Sequence, residues 1–327
     1  MTFPFKQLFA VALAPLLALA AGGALAQAFP NKPITLVVSY PAGGDTDAIA
    51  RVYAEKLSAR VGQQVLVDNR PGASGMIGNA SVAKAPADGY TLLFTPSTFP
   101  IAQHVLKAAP NIAHDVIADF TPIIKTGNIP LLLVTASSTG IKDMKQLLTE
   151  ARGGKPFTYG SPGAGSPMHI AAEMLNRAAG TKLTHVPYRG VAPVVIDALG
   201  GHITVGWITP GAVGQHVATG KLIPLAVAER NRTKLMPSVP TLIELGYPQL
   251  DVSAWMALLG PKGLPNDITR LLNSHFNEIL KMPDVAARMA TLGIEPIGGE
   301  PAVAAQQISV DHERFGKLVK EFGITAE

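Results

Sequence analysis

Cysteine is absent from the 327-residue chain. That excludes disulfides, thiol catalysis and thiolate metal sites, and it is compatible with a compartment that oxidises thiols. Charge is also scarce: 27 Lys and Arg stand against 23 Asp and Glu, a net +4. The basic residues lie scattered among the acidic ones, without a stripe interleaved with aromatics, so no nucleic-acid partner is expected. Low-complexity tracts and short repeats are missing, which argues against a disordered chain or a solenoid. So are a Gly-x-Ser-x-Gly elbow, a Walker loop, and Gly-x-Gly-x-x-Gly after the first strand-like run, and catalysis has no motif to support it.

The apolar run from Leu8 to about Ala21 follows a single cation, Lys6, and precedes Ala24-Leu25-Ala26. It is short for a membrane span, and an Ala-x-Ala site follows, so residues 1–26 read as a secretory signal peptide cleaved near Ala26. Ala28 is the other cleavage candidate and a retained anchor the alternative. The remaining chain of about 300 residues exceeds what one core usually serves, so two lobes are expected.

Ile34 to Ser39, Val65 to Val67 and Thr91 to Phe94 are short apolar runs that read as buried strands. Helix-like periodicity follows the first, through Ile49, Val52, Tyr53 and Leu57, with Thr46 or Asp45 as N-cap and Gly62 beyond the end. The pattern restarts in the second half, where a strand ending at Tyr159 leads to a helix with Ser166 as N-cap, Pro167 at its first position and Gly180 at its end. Strand, polar loop and helix in this order predict parallel α/β sheets with a ligand at the carboxyl ends of the strands. Two glycine-rich turns, Pro41 to Asp47 and Tyr159 to His169, each join such a strand to such a helix. The first turn of a helix has amides without intrahelical acceptors and a partial positive charge, and glycine lets an anion approach the backbone. The two turns thus read as the jaws of one anion-binding cleft.

The segments Pro33-Ile34, Pro41 to Asp47, Asn69-Arg-Pro-Gly72, Asp88-Gly-Tyr-Thr-Leu92, Tyr159-Gly-Ser161, His185-Val-Pro-Tyr-Arg-Gly190, Gly220-Lys-Leu222, Val239-Pro-Thr241 and Trp255 resemble, in that order, those of the Bug-type solute-binding proteins of tripartite tricarboxylate transporters. The resemblance implies a type II periplasmic binding protein fold: two α/β lobes, a two-strand hinge and a ligand cleft between the lobes. Lobe 1 would comprise residues 27–126 and 252–327, and lobe 2 residues 127–251. It further implies a periplasmic receptor that captures a small carboxylate for a membrane permease of one large and one small subunit. A carrier that must dock on a permease is expected to be a monomer, and binding by lobe closure requires no catalysis, cofactor or metal. Two other readings stand beside it: a ligand-sensing module signalling to a membrane kinase, and a hydrolase. Where many relatives read Phe-Asp-Asn, this chain reads Trp207-Ile208-Thr209. Isoleucine cannot pair with a ligand ammonium, which disfavours an amino acid ligand. An aromatic or apolar carboxylate would fit a slot beside Trp207; the alternative is that Trp207 and Ile208 fill the core.

The candidate ligand-binding residues are Ala42, Gly43, Gly44, Asp45 and Thr46 in the first jaw, and Ser161, Gly163, Ala164, Gly165, Ser166 and His169 in the second. Hydroxyls at Thr95, Ser97 and Thr98 after a strand, Arg189 after another, and Trp207, Ile208 and Thr209 complete the set. Asp47 reads as a cap rather than a ligand contact, since a carboxylate repels an anion. Neither Asp45 with Asp47 nor His169 with Glu173 makes a metal site.

Overall fold

The computed structural model describes residues 29–107 and 109–325; the expected signal peptide and both cleavage candidates lie outside them. Among the described residues no helix is long and apolar enough to cross a membrane.

Lobe 1 opens with β1 (Ile34–Val38), α1 (Asp45–Val61), β2 (Val65–Asn69), α2 (Met76–Ala83), β3 (Thr91–Pro96), the short α3 (Ala102–Val105) and β4 (Phe120–Ile129). Lobe 2 follows with β5 (Leu132–Ala136), α4 (Met144–Arg152), β6 (Thr158–Ser161), α5 (Pro167–Ala179), β7 (Thr184–Pro187), α6 (Val191–Gly200), β8 (Val205–Ile208), α7 (Pro210–Ala218) and β9 (Leu222–Val227). The chain then returns through β10 (Ala254–Pro261), α8 (Asn266–Leu280), α9 (Pro283–Thr291), β11 (Glu295–Pro296) and α10 (Pro301–Phe322).

The two sheets have the same plan. The first runs β11-β4-β10-β3-β1-β2 and the second β7-β6-β8-β5-β9. In each, parallel strands lie side by side, β2-β1-β3 and β7-β6-β8, and an antiparallel strand, β10 or β5, is inserted beside them. Each inserted strand comes from the part of the chain that has just crossed between lobes. The sheets are therefore mixed rather than parallel throughout, because a chain entering from the other lobe runs against the βαβ direction. The crossings lie between Ile129 and Leu132 and between Val227 and Ala254, and they are tied together where Ala228 N–H donates to Leu131 O (2.9 Å). The sequence-based boundary at 126/127 cuts through β4, three residues before that strand ends.

Local chemistry explains the helix ends that frame the interlobe cleft. Ser166 caps α5, its hydroxyl accepting from His169 N–H at 3.2 Å, with Pro167 at the first helical position and Gly180 in the left-handed conformation at the end. Helix α1 departs from expectation: its N-cap is Gly44, with no side-chain cap, and Asp45 and Thr46 fall inside the first turn. Helix α6 begins at Val191, two residues before Pro193.

Candidate ligand-binding site

Four helices from two lobes begin at one cavity of about 180 Å³. Gly44, Asp45 and Thr46 at the start of α1, Pro167 and Met168 of α5, Val191 to Pro193 of α6, and Thr209 before α7 all line it. The first intrahelical bonds are Ala48 N–H to Gly44 O and Ile170 N–H to Ser166 O, so the amides of the preceding turns have no intrahelical acceptor. Convergent helix N-termini place partial positive charge at the cavity without a buried cation. Arg189 adds a full charge: it lies at the wall, exposed, and makes no ion pair among the described residues.

Polar side chains are few and specific. Ser97 and Thr98 line the cavity from the end of β3; the Ser97 hydroxyl accepts from Trp255 N–H at 3.1 Å, which leaves its own proton free to donate. Tyr40 Oη is buried, with the Thr98 hydroxyl beside it and no well-formed hydrogen bond. Burial pushes this phenol up to about 12, partly offset by Thr98, so it stays protonated. The remaining wall is apolar, with Ile129, Pro96, Ala254 and Met256 among its groups. Such a lining suits a small molecule with an anionic end and a hydrocarbon body.

Across this cavity the lobes are joined by a hydrogen bond. The Thr209 hydroxyl of lobe 2 donates to Asp45 Oδ2 of lobe 1. Burial raises the pKa of Asp45, and the Thr209 bond and the charge of Arg288 oppose that rise. Glycines let the lobes approach elsewhere. A Cβ on Gly165 would lie 3.0 Å from Ala102 Cα, and one on Gly211 would lie 2.5 Å from the backbone of Leu292.

Each jaw is pinned by a side chain four residues after the amide it holds. In the first, Gly43 N–H donates to Asp47 Oδ2 at 2.9 Å. The same carboxylate accepts from Arg51 Nε at 3.0 Å and from Asn69 Nδ2 at 3.0 Å. Burial alone would raise Asp47, but these donors outweigh it and hold the carboxyl below its ordinary range. In the second, Gly165 N–H donates to His169 Nδ1 at 3.1 Å. His169 is buried and stacks on His185, ring centroids 3.9 Å apart, while His185 Nε2 lies 2.6 Å from Ser161 Oγ. Burial, and for His169 the neighbouring His185, lower the two imidazoles to about 3 and about 4. The Gly165 bond requires an unprotonated Nδ1, in agreement with that shift.

The expected site residues thus divide. Ala42, Gly44, Asp45, Thr46, Ser97, Thr98, Arg189 and Thr209 line the 180 Å³ cavity. Gly43 is not among the lining residues, and its amide is held by Asp47. Gly163, Ala164 and His169 instead line a second, larger interlobe cavity of about 990 Å³, together with Glu173 and His185. Ser161, Gly165 and Ser166 shape the second jaw from within: their polar groups bond to Gly163 O, His169 Nδ1 and His169 N–H. Thr95 is buried against Ser39, with hydroxyls 2.9 Å apart, and faces neither cavity. Trp207 and Ile208 correct the aromatic-slot expectation: at 1 % and 0 % exposure they fill the core on opposite faces of β8. Both faces of that strand are covered, so alternation gave no sign of which face met the cleft. Sequence reasoning missed the start of α6 and the apolar wall from β4 and β10. Gly190, at the end of a strand and before a helix, was the available signal for the former.

Comparison with known proteins agrees with this architecture. Residues 49–324 match the model of the tripartite tricarboxylate transporter family receptor. A UPF0065 protein from the tcbD-tcbE intergenic region of Pseudomonas sp. strain P51 is 36% identical over 302 residues, 91% of this chain and 89% of that protein. BugT of Bordetella pertussis is 36% identical over 300 residues, 91% of each chain. Among solved structures, the periplasmic binding protein BugD superposes with a TM-score of 0.84 at 28% identity, covering 91% of this chain and all of that one. R. palustris Rpa4515, solved with adipate, gives 0.85 at 31% identity over 91% of this chain and 99% of its own. MatC from Rhodopseudomonas palustris, solved with malate, gives 0.81 at 28% identity over 89% of this chain and 100% of its own. The two lobes are those of a periplasmic binding protein, and the family is one of receptors, not enzymes. The chain belongs to the tripartite tricarboxylate transporter receptor family.

Proposed function

We propose that this protein is an exported periplasmic receptor that captures a small organic carboxylate between its lobes and presents the closed, liganded form to a permease of one large and one small membrane subunit. The observation that carries the reading is the meeting of four helix N-termini, from both lobes, around one small cavity whose wall is otherwise apolar. A carboxylate there would accept from backbone amides and the hydroxyls of Thr46 and Thr98, with Arg189 at the rim. Contacts from both lobes exist together only when the cleft is shut, so binding energy drives closure. Charge-assisted hydrogen bonds contribute about 1.5–3 kcal/mol each. Three or four therefore support a micromolar complex, near −8 kcal/mol, after ordering costs. The cavity is below the roughly 300–1,000 Å³ of drug-sized sites, which favours a compact acid. Two relatives solved with adipate and malate bind ligands of that kind, and the buried position of Trp207 removes the particular support for an aromatic one. The test is a thermal-shift screen of the mature protein against aliphatic dicarboxylates, tricarboxylates, aromatic carboxylates and acidic amino acids. Stabilisation by small aliphatic acids is expected; stabilisation by none of the panel would overturn the reading.

A further inference from the structure

Asp45 is an unusual group to find in the wall of an anion site. Its carboxyl is densely surrounded by protein, it lines the 180 Å³ cavity, and it has no ion-pair partner among the described residues. Oδ2 is engaged by the Thr209 hydroxyl, while Oδ1 has no hydrogen bond to the described residues. An acceptor oxygen thus lines the same cavity as a set of donors: the Thr98 hydroxyl and the free amides of the helix starts. A site of this composition sorts the two ends of a ligand. Donors take the carboxylate, and Asp45 requires a group that brings a hydrogen. A methylene placed against Asp45 would leave a buried carboxyl oxygen unpaired, the circumstance in which polar sites reject analogues most strongly.

We propose that Asp45 reads a hydrogen-bond donor, a hydroxyl or an ammonium, on the carbon skeleton of the captured acid, so that substituted acids are preferred over their plain alkyl counterparts. This rests on the carboxylate reading above and narrows it. Thr209 is a positioning residue: it reaches from the opposite lobe, occupies Oδ2 and fixes the plane in which Oδ1 is offered. The arrangement makes donor recognition a property of the closed cleft, because Asp45 and Thr209 belong to different lobes.

Titration calorimetry of the mature protein with succinate, malate and aspartate tests it, since the three share a skeleton and differ in one substituent. Malate, aspartate or both should bind at least about tenfold more tightly than succinate, the discrimination typical of a lost buried hydrogen bond. Asp45→Ala should bring the affinities for all three within about threefold of one another. Thr209→Val should narrow the gap without abolishing it. Asp45→Asn, which keeps the size and one acceptor, should preserve malate recognition and weaken aspartate if the donor is an ammonium. It also serves as the control should the alanine variant fold poorly. Equal affinities for all three in the wild type, or an unchanged gap in Asp45→Ala, would overturn the inference while leaving carboxylate capture intact. Binding of none of the three would overturn it too, and the receptor reading would fall only if the wider acid panel also failed.

Discussion

The two jaws solve one mechanical problem with different chemistry. Each is a glycine loop between a strand and a helix, and in each a first-turn side chain reaches back four residues to hold a loop N–H: Asp47 on Gly43, His169 on Gly165. The first pin is a carboxylate with three kinds of donor around it, so it remains charged well into acid. The second is an imidazole stacked on another imidazole, which must remain neutral to accept. The shared geometry is a loop amide held from the first helical turn, by a different group in each jaw. The difference makes one jaw indifferent to mild acid and the other sensitive to it.

Lowering pH should separate the jaws most sharply. The folded-state pKa values of His169 and His185, about 3 and about 4, lie below the ordinary 6.5. The unfolded chain therefore binds more protons between those values. The contribution of the pair is present above pH 6.5 and is lost as pH falls from there through 4 towards 3, on the order of 3–5 kcal/mol for each group so displaced. Denaturant titrations at pH 7.5, 5.5 and 4.5 should show this, and His169→Gln should flatten the profile by removing a proton site while keeping an acceptor. A profile unchanged by that substitution would break the comparison.

Asp47 gives the next largest effect. Its folded pKa is lowered, so its contribution is present above the unfolded carboxylate value and disappears as pH falls through the folded one, at lower pH than the histidine window. Asp47→Ala leaves the Gly43 amide and Asn69 without their acceptor and should cost about 2–3 kcal/mol at neutral pH, read as a fall in unfolding midpoint. Smaller differences lie in the caps. Ser166→Ala removes the hydroxyl that accepts from His169 N–H and should cost about 1 kcal/mol. Gly44→Ser adds the cap that the first jaw lacks, at a backbone of φ −86° and ψ 172°, and should stabilise by roughly a few tenths of a kcal/mol. Equal responses to these two changes would mean that the jaws do not differ at their caps.

The helix starts were legible because capping is local: Ser166, Pro167 and Gly180 lie within one short stretch and act within it. The pins were not. Asp47 could be recognised as a non-ligand from charge alone, but its acceptance from Asn69 depends on β2 lying beside β1. The His169–His185 stack joins residues on α5 and β7 through the parallel pairing of β6 and β7. Strand β4 escaped notice because Pro122, Lys125 and Gly127 interrupt its apolar pattern. Its pairing with β10 is irregular, with register shifts between Met256 and Ala257 and between Leu258 and Leu259. Trp207 drew attention by its size and its place beside Thr209, yet only the sheet decides that Thr209 turns into the cleft while Trp207 does not.

The most direct test of carboxylate capture between the jaws is a thermal-shift comparison of the mature wild type with Gly44→Trp across small aliphatic acids. Gly44 lines the cavity, and a Cβ there would meet nothing beyond its chain neighbours nearer than Pro41 O at 3.9 Å, so a side chain can begin there without a clash and the indole is expected to fill the space. At least one acid should raise the melting temperature of the wild type and leave that of Gly44→Trp unchanged. Equal shifts in both proteins, or none in the wild type, would contradict a ligand site at the meeting of the four helices.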